Sequence, residues 1–249
     1  MKKKKRVYQV SSIIVLLGIC GVFYFQPQLS NEILQFVSNN QVEAKQSDSV
    51  SYDLENIPSY SGLASVVIDE NQPSFSDADK QRETFESYHE LDSLGRCGVA
   101  FAKVGLETMP TEKRGSIGQV KPSGWHTIKY DIVDGKYLYN RCHLIGYQLT
   151  GENANKKNLI TCTRFMNTVG MLPYENEVAE YVKKTSNHVL YRVTPDFRGD
   201  NLVANGVQIE ALSLEDNGEG VQFNVYVYNI QDGIKIDYKT GESHLVSSS

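Results

Sequence analysis

Three runs near the C-terminus constrain the fold most: "HVLYRVTPDF" (188–197), "NLVANGVQIEALSL" (201–214) and "GVQFNVYVYN" (220–229). Apolar residues recur at every second position, the period of a strand with one face on a core. Asn205-Gly206 lies among them as a turn signal. Shorter β-type runs precede them: "ASVVID" (64–69), "CGVAFAKVG" (97–105) and "KNLITCTRFMN" (157–167). Asp134-Gly135 is a further turn signal, inside the β-rich stretch that begins near Gly124. Two stretches read as helix. Residues 74–94 offer Ser76 and Asp77 as an N-cap with an acidic first turn, and place Phe85, Tyr88 and Leu91 on one face. Residues 172–187 carry Pro173 near a first turn and Val178, Tyr181 and Val182 on one face. The expected class is α+β, a mostly antiparallel central sheet with helices packed on it.

One run breaks its own pattern. In "YLYNRCHLI" (137–145), Asn140, Arg141 and His143 interrupt apolar residues that otherwise read as strand. A strand buried on both sides would not carry a cation and an imidazole without partners, so these residues either satisfy each other or face a cleft. The chain as a whole has a formal charge of -5, which gives no global reason to expect nucleic acid. Between Thr111 and Phe165, however, nine Lys and Arg stand against four Asp and Glu. Such a local excess attracts anions.

Four cysteines do not make a disulfide framework. Cys20 falls in an N-terminal apolar run; Cys97, Cys142 and Cys162 allow one bridge, and spacing does not choose the pair. No CxxC or Cys/His spacing suggests zinc. The N-terminus, "MKKKKR" followed by apolar residues from Ile13 to Phe25, reads as a signal anchor or signal peptide over residues 1–26. The cations would stay in the cytoplasm, leaving the folded domain outside the cell membrane, or secreted if the segment is cleaved. Residues 27–60 are polar and read as a linker, 61–240 as the folded domain, and 241–249 as a loose tail.

His143, Asn158, Asn167 and Glu175 follow one another on a β-run, a second β-run and the start of a helix. "YNRCHLIGYQLTGENANKKNLITCTRFMN" followed by "MLPYENEVAEYV" resembles the DNA/RNA non-specific endonucleases, ββα-metal nucleases, nearest to Gram-positive DNA-entry nucleases and streptococcal secreted DNases. The resemblance spans roughly residues 63–238 and is densest from Arg141 to Val182. The family's Asp-Arg-Gly-His core stands here as Asn140-Arg141-Cys142-His143, keeping the Arg and the His. Phosphodiester hydrolysis needs a water nucleophile, a group to take its proton, and positive charge where the phosphorane becomes negative. His143, with an unperturbed pKa near neutrality, is the general base on its own chemistry as well as by resemblance. The resemblance implies Asn167 as the protein ligand of one Mg²⁺, with Mn²⁺ able to substitute, because such an ion keeps waters and needs few protein oxygens. It implies Glu175 as the acid that orients the metal-bound waters; Glu177, two residues on, points elsewhere on a helix. It implies Arg141 as a phosphate clamp and Asn158 as a second asparagine that supports the site, counted with the substrate-binding residues. Arg114, Lys156 and Lys157 are added as phosphate contacts from their charge and position. Contacts to phosphate and not to base edges imply non-specific cleavage, with DNA as the preferred substrate and RNA as a second one. The implied roles are DNA uptake, with its machinery as partner, or degradation of extracellular DNA. The departures at Asn140 and Cys142 keep a second class in view, a catalytically inactive DNA-binding module of the same fold.

Overall fold

The computed structural model describes Leu54 and residues 57–246, which belong to the compact unit Val50–Ser249. The expected signal segment (1–26) and most of the expected linker lie outside the described residues. Among the described residues no helix is long and apolar enough to cross a membrane.

The alternating runs become one six-stranded antiparallel sheet. Its strands are β1 (Ser65–Val67), β2 (Glu86–Tyr88), β3 (Ala100–Val104), β6 (Val189–Pro195), β7 (Gly206–Ser213) and β8 (Gln222–Tyr228), in the spatial order β1-β8-β7-β6-β3-β2. Register sorts the two faces. Ala102 pairs with Tyr191, Tyr191 with Ala211, and Ala211 with Phe223. Those residues and their i+2 neighbours, Val193, Ile209 and Val225, make the main core. Helix α3 (Leu172–Thr185) presses Val178, Ala179 and Val182 into the same core, as an i, i+1, i+4 stripe must.

The opposite face carries Arg192, Glu210, Gln208 and Asn224, and is covered by the N-terminal strap. Glu210 is only 2 % exposed, and both its oxygens are held, by Arg192 Nε at 2.7 Å and Nη2 at 2.8 Å and by the Ser74 backbone and hydroxyl at 2.8 Å. A buried carboxylate is tolerable only with such complete pairing.

Three sequence expectations change. The helix expected over 74–94 is short: α1 spans Asp77–Gln81, with Ser76 and Asp79 forming the capping box, and the chain then extends into β2. Phe85 packs edge-on against Phe101 at 4.9 Å, and Glu86–Tyr88 pairs with β3, so tertiary stacking and ladder bonds override the helical spacing. The expected loose tail is ordered as far as Val246: β9 (Ile234–Ile236) and β10 (Ser243–Leu245) form a hairpin. The end of the expected linker is docked, with Tyr60 edge-on to Tyr228 and the Tyr228 hydroxyl donating to the Pro58 carbonyl at 2.7 Å.

A second, two-stranded sheet stands apart from the first. β4 (Tyr139–His143) pairs antiparallel with β5 (Leu159–Thr163), and the short helix α2 (Tyr147–Thr150) lies between them in sequence. A disulfide joins Cys142 to Cys162, leaving Cys97 as a buried free thiol. Cys142 sits in regular strand backbone, outside the positive-φ residues, so Cys is accommodated there without strain. Asn229, fully buried beyond β8, receives the Thr163 N–H at 2.8 Å and donates to the carbonyls of Thr161 and Ala204. Its amide fastens the small sheet to the large one.

Candidate active site

β5 runs into a π-helical stretch, Met166–Met171, which passes without a break into α3. Such wider turns shift the phase of everything that precedes them on a helix. Here the stretch carries Asn167 at its start and Glu175 lies in the first turn of α3. Gly170 allows the close approach, because a Cβ there would run into Val227. β4, β5 and this helix bring His143, Asn167 and Glu175 to a single cleft of about 520 Å³, lined also by Arg114, Arg141 and Arg164.

The protonation pattern of His143 follows from its partners. The ring is 6 % exposed; Nε2 lies 2.7 Å from the Asn153 carbonyl and Nδ1 lies 3.2 Å from Nη2 of Arg114. A carbonyl can only accept and a guanidinium can only donate. Nε2 therefore carries the hydrogen, and Nδ1 turns a lone pair toward the cleft. Burial pushes the imidazole down to about 4; Arg114 adds to this and the Asn153 carbonyl opposes it. At neutral pH the ring is an uncharged base.

Glu175 is the complementary case. Burial pushes its carboxyl up to about 7, against the pull of Arg114 and a hydrogen bond from Gln148. The carboxylate rests on the backbone of Gly146, where a Cβ would come within 2.6 Å of Oε2. Gly146 has ordinary backbone angles, φ -57° and ψ 143°. What it provides is space. Glu177 is exposed and lies outside the cleft lining.

Arg114 and Arg141 line this cleft and an adjoining one, but they are held differently. Arg114 is exposed and faces His143. Arg141 donates from Nε to the Val120 carbonyl and from Nη2 to the Gly118 carbonyl at 2.9 Å, and its guanidinium lies 3.9 Å over the Trp125 ring. The phosphate clamp expected of Arg141 is thus partly engaged in pinning the loop that carries Arg114. Asn158 is fully buried: Oδ1 accepts from Ile145 N–H and Nδ2 donates to the Ile145 carbonyl, both at 2.9 Å. Its expected substrate contact is corrected to that of a strut, locking the backbone two residues beyond His143. Lys157 is ion-paired with Glu90, and neither it nor Lys156 lines the clefts. The structure thus leaves both lysines outside the clefts, Lys157 with its charge already paired. Sequence reasoning missed Arg164, which lines both clefts while paired with Asp134 at 3.0 Å, and it did not place Tyr137 there. The chain's single Trp, Trp125, lies inside the basic segment and was the available signal for the adjoining cleft.

Among the described residues no three His, Cys, Asp or Glu gather to hold a metal ion. That excludes a closed cage there but suits a hard cation that keeps its waters. The donor set fits: the Asn167 amide has no hydrogen-bond partner among the described residues, and it faces the same cleft as the Glu175 carboxylate.

Residues 75–214 match the family described as DNA/RNA non-specific endonuclease. A deoxyribonuclease of Streptococcus dysgalactiae subsp. equisimilis is 32 % identical over 110 residues, which make up 42 % of this chain and 32 % of that protein, so the match spans about a third of the relative's length. Among solved structures, NucA from Streptococcus agalactiae with a magnesium ion bound superimposes with a TM-score of 0.63 at 26 % identity, over 71 % of this chain and 86 % of NucA. The same protein with no metal bound gives 0.66 at 27 %, over 77 % and 92 %. The Sda1 nuclease with bound zinc shares the fold, with a TM-score of 0.59 at 24 % identity over 79 % of this chain and all of Sda1. The match covers more than half of the sequence, and His143, Asn167 and Glu175 line one cleft within it; the chain belongs to the DNA/RNA non-specific endonuclease family.

Proposed function

We propose that the chain is a metal-dependent endonuclease that hydrolyses phosphodiester bonds of DNA, and of RNA, without sequence specificity. One observation carries this reading: His143 is held neutral with Nδ1 directed into a cleft that also contains Arg114, Asn167 and Glu175. A water entering beside His143 gives its proton to Nδ1 as its oxygen attacks phosphorus. The Nε2–H bond to Asn153 keeps the ring from turning as it becomes imidazolium. Arg114 keeps Nδ1 unprotonated before substrate arrives, and its guanidinium then neutralises a non-bridging phosphate oxygen. Asn167 would hold a Mg²⁺ ion, with Glu175 orienting its waters; when bound, the ion would supply Lewis-acid stabilisation of the negative charge that develops in the reaction. NucA, described with magnesium, supports that choice, and Mn²⁺ is expected to substitute. The products carry 5′-phosphate and 3′-hydroxyl ends.

The N-terminal basic and apolar segment supports an enzyme held on the outer face of the membrane, serving DNA uptake or the degradation of extracellular DNA. A plasmid-nicking assay on the full-length chain in mild detergent tests the reading. Cleavage should require Mg²⁺, stop with EDTA, and fall at least about 10³-fold in His143→Ala, the scale of a lost general base. Equal cleavage by His143→Ala would refute the assignment. Binding of DNA with no cleavage in any divalent ion would favour the inactive binding module.

A further inference from the structure

Beside the catalytic cleft lies a second one, of about 480 Å³, sharing Arg114, Arg141, Arg164 and Asn167 with it. Its distinct walls are aromatic and polar: Trp125, Tyr137, Thr127 and Asn140. Resting on the endonuclease reading above, we infer that this groove is a subsite for one unpaired nucleobase of the substrate strand, next to the phosphate being cut.

Two flat surfaces define it. Arg141 has its Nε and Nη2 donors turned to the Val120 and Gly118 carbonyls, and one guanidinium face laid on Trp125 at 3.9 Å. A guanidinium held in that way meets a ligand with its remaining face, and a planar face stacks on a base. Tyr137 is the second surface. Its residue is 46 % exposed, although a tyrosine in a β-rich stretch would ordinarily pack its ring. Lys129 Nζ sits 4.5 Å from the ring centroid, over one face of a ring that also lines the groove. Thr127 and Asn140 also line the groove and offer hydrogen bonds to a base edge. The volume suits one nucleoside. A base inside a duplex remains stacked between its neighbours and cannot enter. The groove therefore favours single strands or locally opened duplex, with every base accepted.

The test compares fluorescein-labelled octathymidylate with an abasic strand of the same length and charge, using the full-length chain in detergent and EDTA so that nothing is cut. Anisotropy should show the base-bearing strand bound at least about fivefold more tightly, the lower end of what one stacked base contributes. Tyr137→Ala should bring the two strands within twofold, and Tyr137→Phe should restore the preference. Equal binding of both strands by the unaltered chain, or a preference that survives in Tyr137→Ala, overturns the subsite. Plasmid nicking in Mg²⁺ is read in parallel. Nicking together with equal binding removes the subsite alone, whereas base-dependent binding without nicking upholds the subsite and removes the nuclease reading.

Discussion

Replacing Glu175 with Gln should change stability in a pH-dependent way. The native carboxyl titrates near 7, against an ordinary value near 4.5. Between these values the folded chain binds the proton and the unfolded chain does not, so the contribution of Glu175 to stability falls as pH rises from 4.5 to 7. The full displacement corresponds to about 3 kcal/mol, and solvent at the cleft mouth trims this to about 1–3 kcal/mol. Glu175→Gln keeps the shape and removes the ionisation. At pH 4.5 in EDTA the two proteins should unfold alike in urea, and at pH 8 the variant should be the more stable by that amount. His143 acts in the opposite sense. Its native value near 4 lies below the ordinary 6.5, so its contribution is fully present above 6.5 and is lost as pH falls toward 4. The two slopes offset each other between 4.5 and 6.5 in the unaltered chain, and the variant should expose the His143 slope. Saturating Mg²⁺ should narrow the gap at pH 8, since a cation beside Glu175 compensates its charge. A stability difference that is the same at both pH values would refute the argument, for it would mean that the carboxylate is solvated in the folded state.

Gly146→Ala should leave the melting temperature within about 1–2 °C, because its φ and ψ suit alanine and the atom it meets is the end of a flexible side chain; nuclease activity should fall at least about tenfold as Glu175 is pushed aside. Glu210→Ala should cost about 3–5 kcal/mol in urea unfolding, since it leaves Arg192 unpaired beneath the strap. Replacing Cys142 and Cys162 together by Ala should cost about 3 kcal/mol for a closed loop of 20 residues, visible as a lower urea midpoint, with no change on adding reductant.

The long sheet was legible because a period of two survives any partner choice: Tyr191, Ala211 and Phe223 announce one face from spacing alone. The stretch after Gln81 was not. Phe85 and Tyr88 have helical spacing, and only stacking on Phe101, distant in sequence, assigns them to extended chain. In the site, the meeting of His143, Asn167 and Glu175 in one cleft was readable from their order along the chain. Asn158 was misread because an asparagine looks the same in sequence whether it faces a groove or brackets a backbone peptide. Lys157 was misread for want of its partner, Glu90, which lies 67 residues away. The Cys142–Cys162 pair needed the strand register, which sets Cys162 opposite Asn140 and so diagonal to Cys142.

The grip of Arg141 on the Gly118 and Val120 carbonyls has a consequence for genetics. Residues 105–138 contain no strand or helix beyond one isolated bridge, Lys129 with Tyr137, so the place of Arg114 depends on side-chain anchors. An alanine scan would score Arg141 and Arg114 as two separate losses of similar size. For turnover at saturating substrate they are two ends of one device, and there the double variant should be scarcely worse than either single one, because a loop already released has no second contribution to lose. Epistasis between these arginines is therefore the signature of a positioned loop, and additive losses would be the signature of two independent clamps.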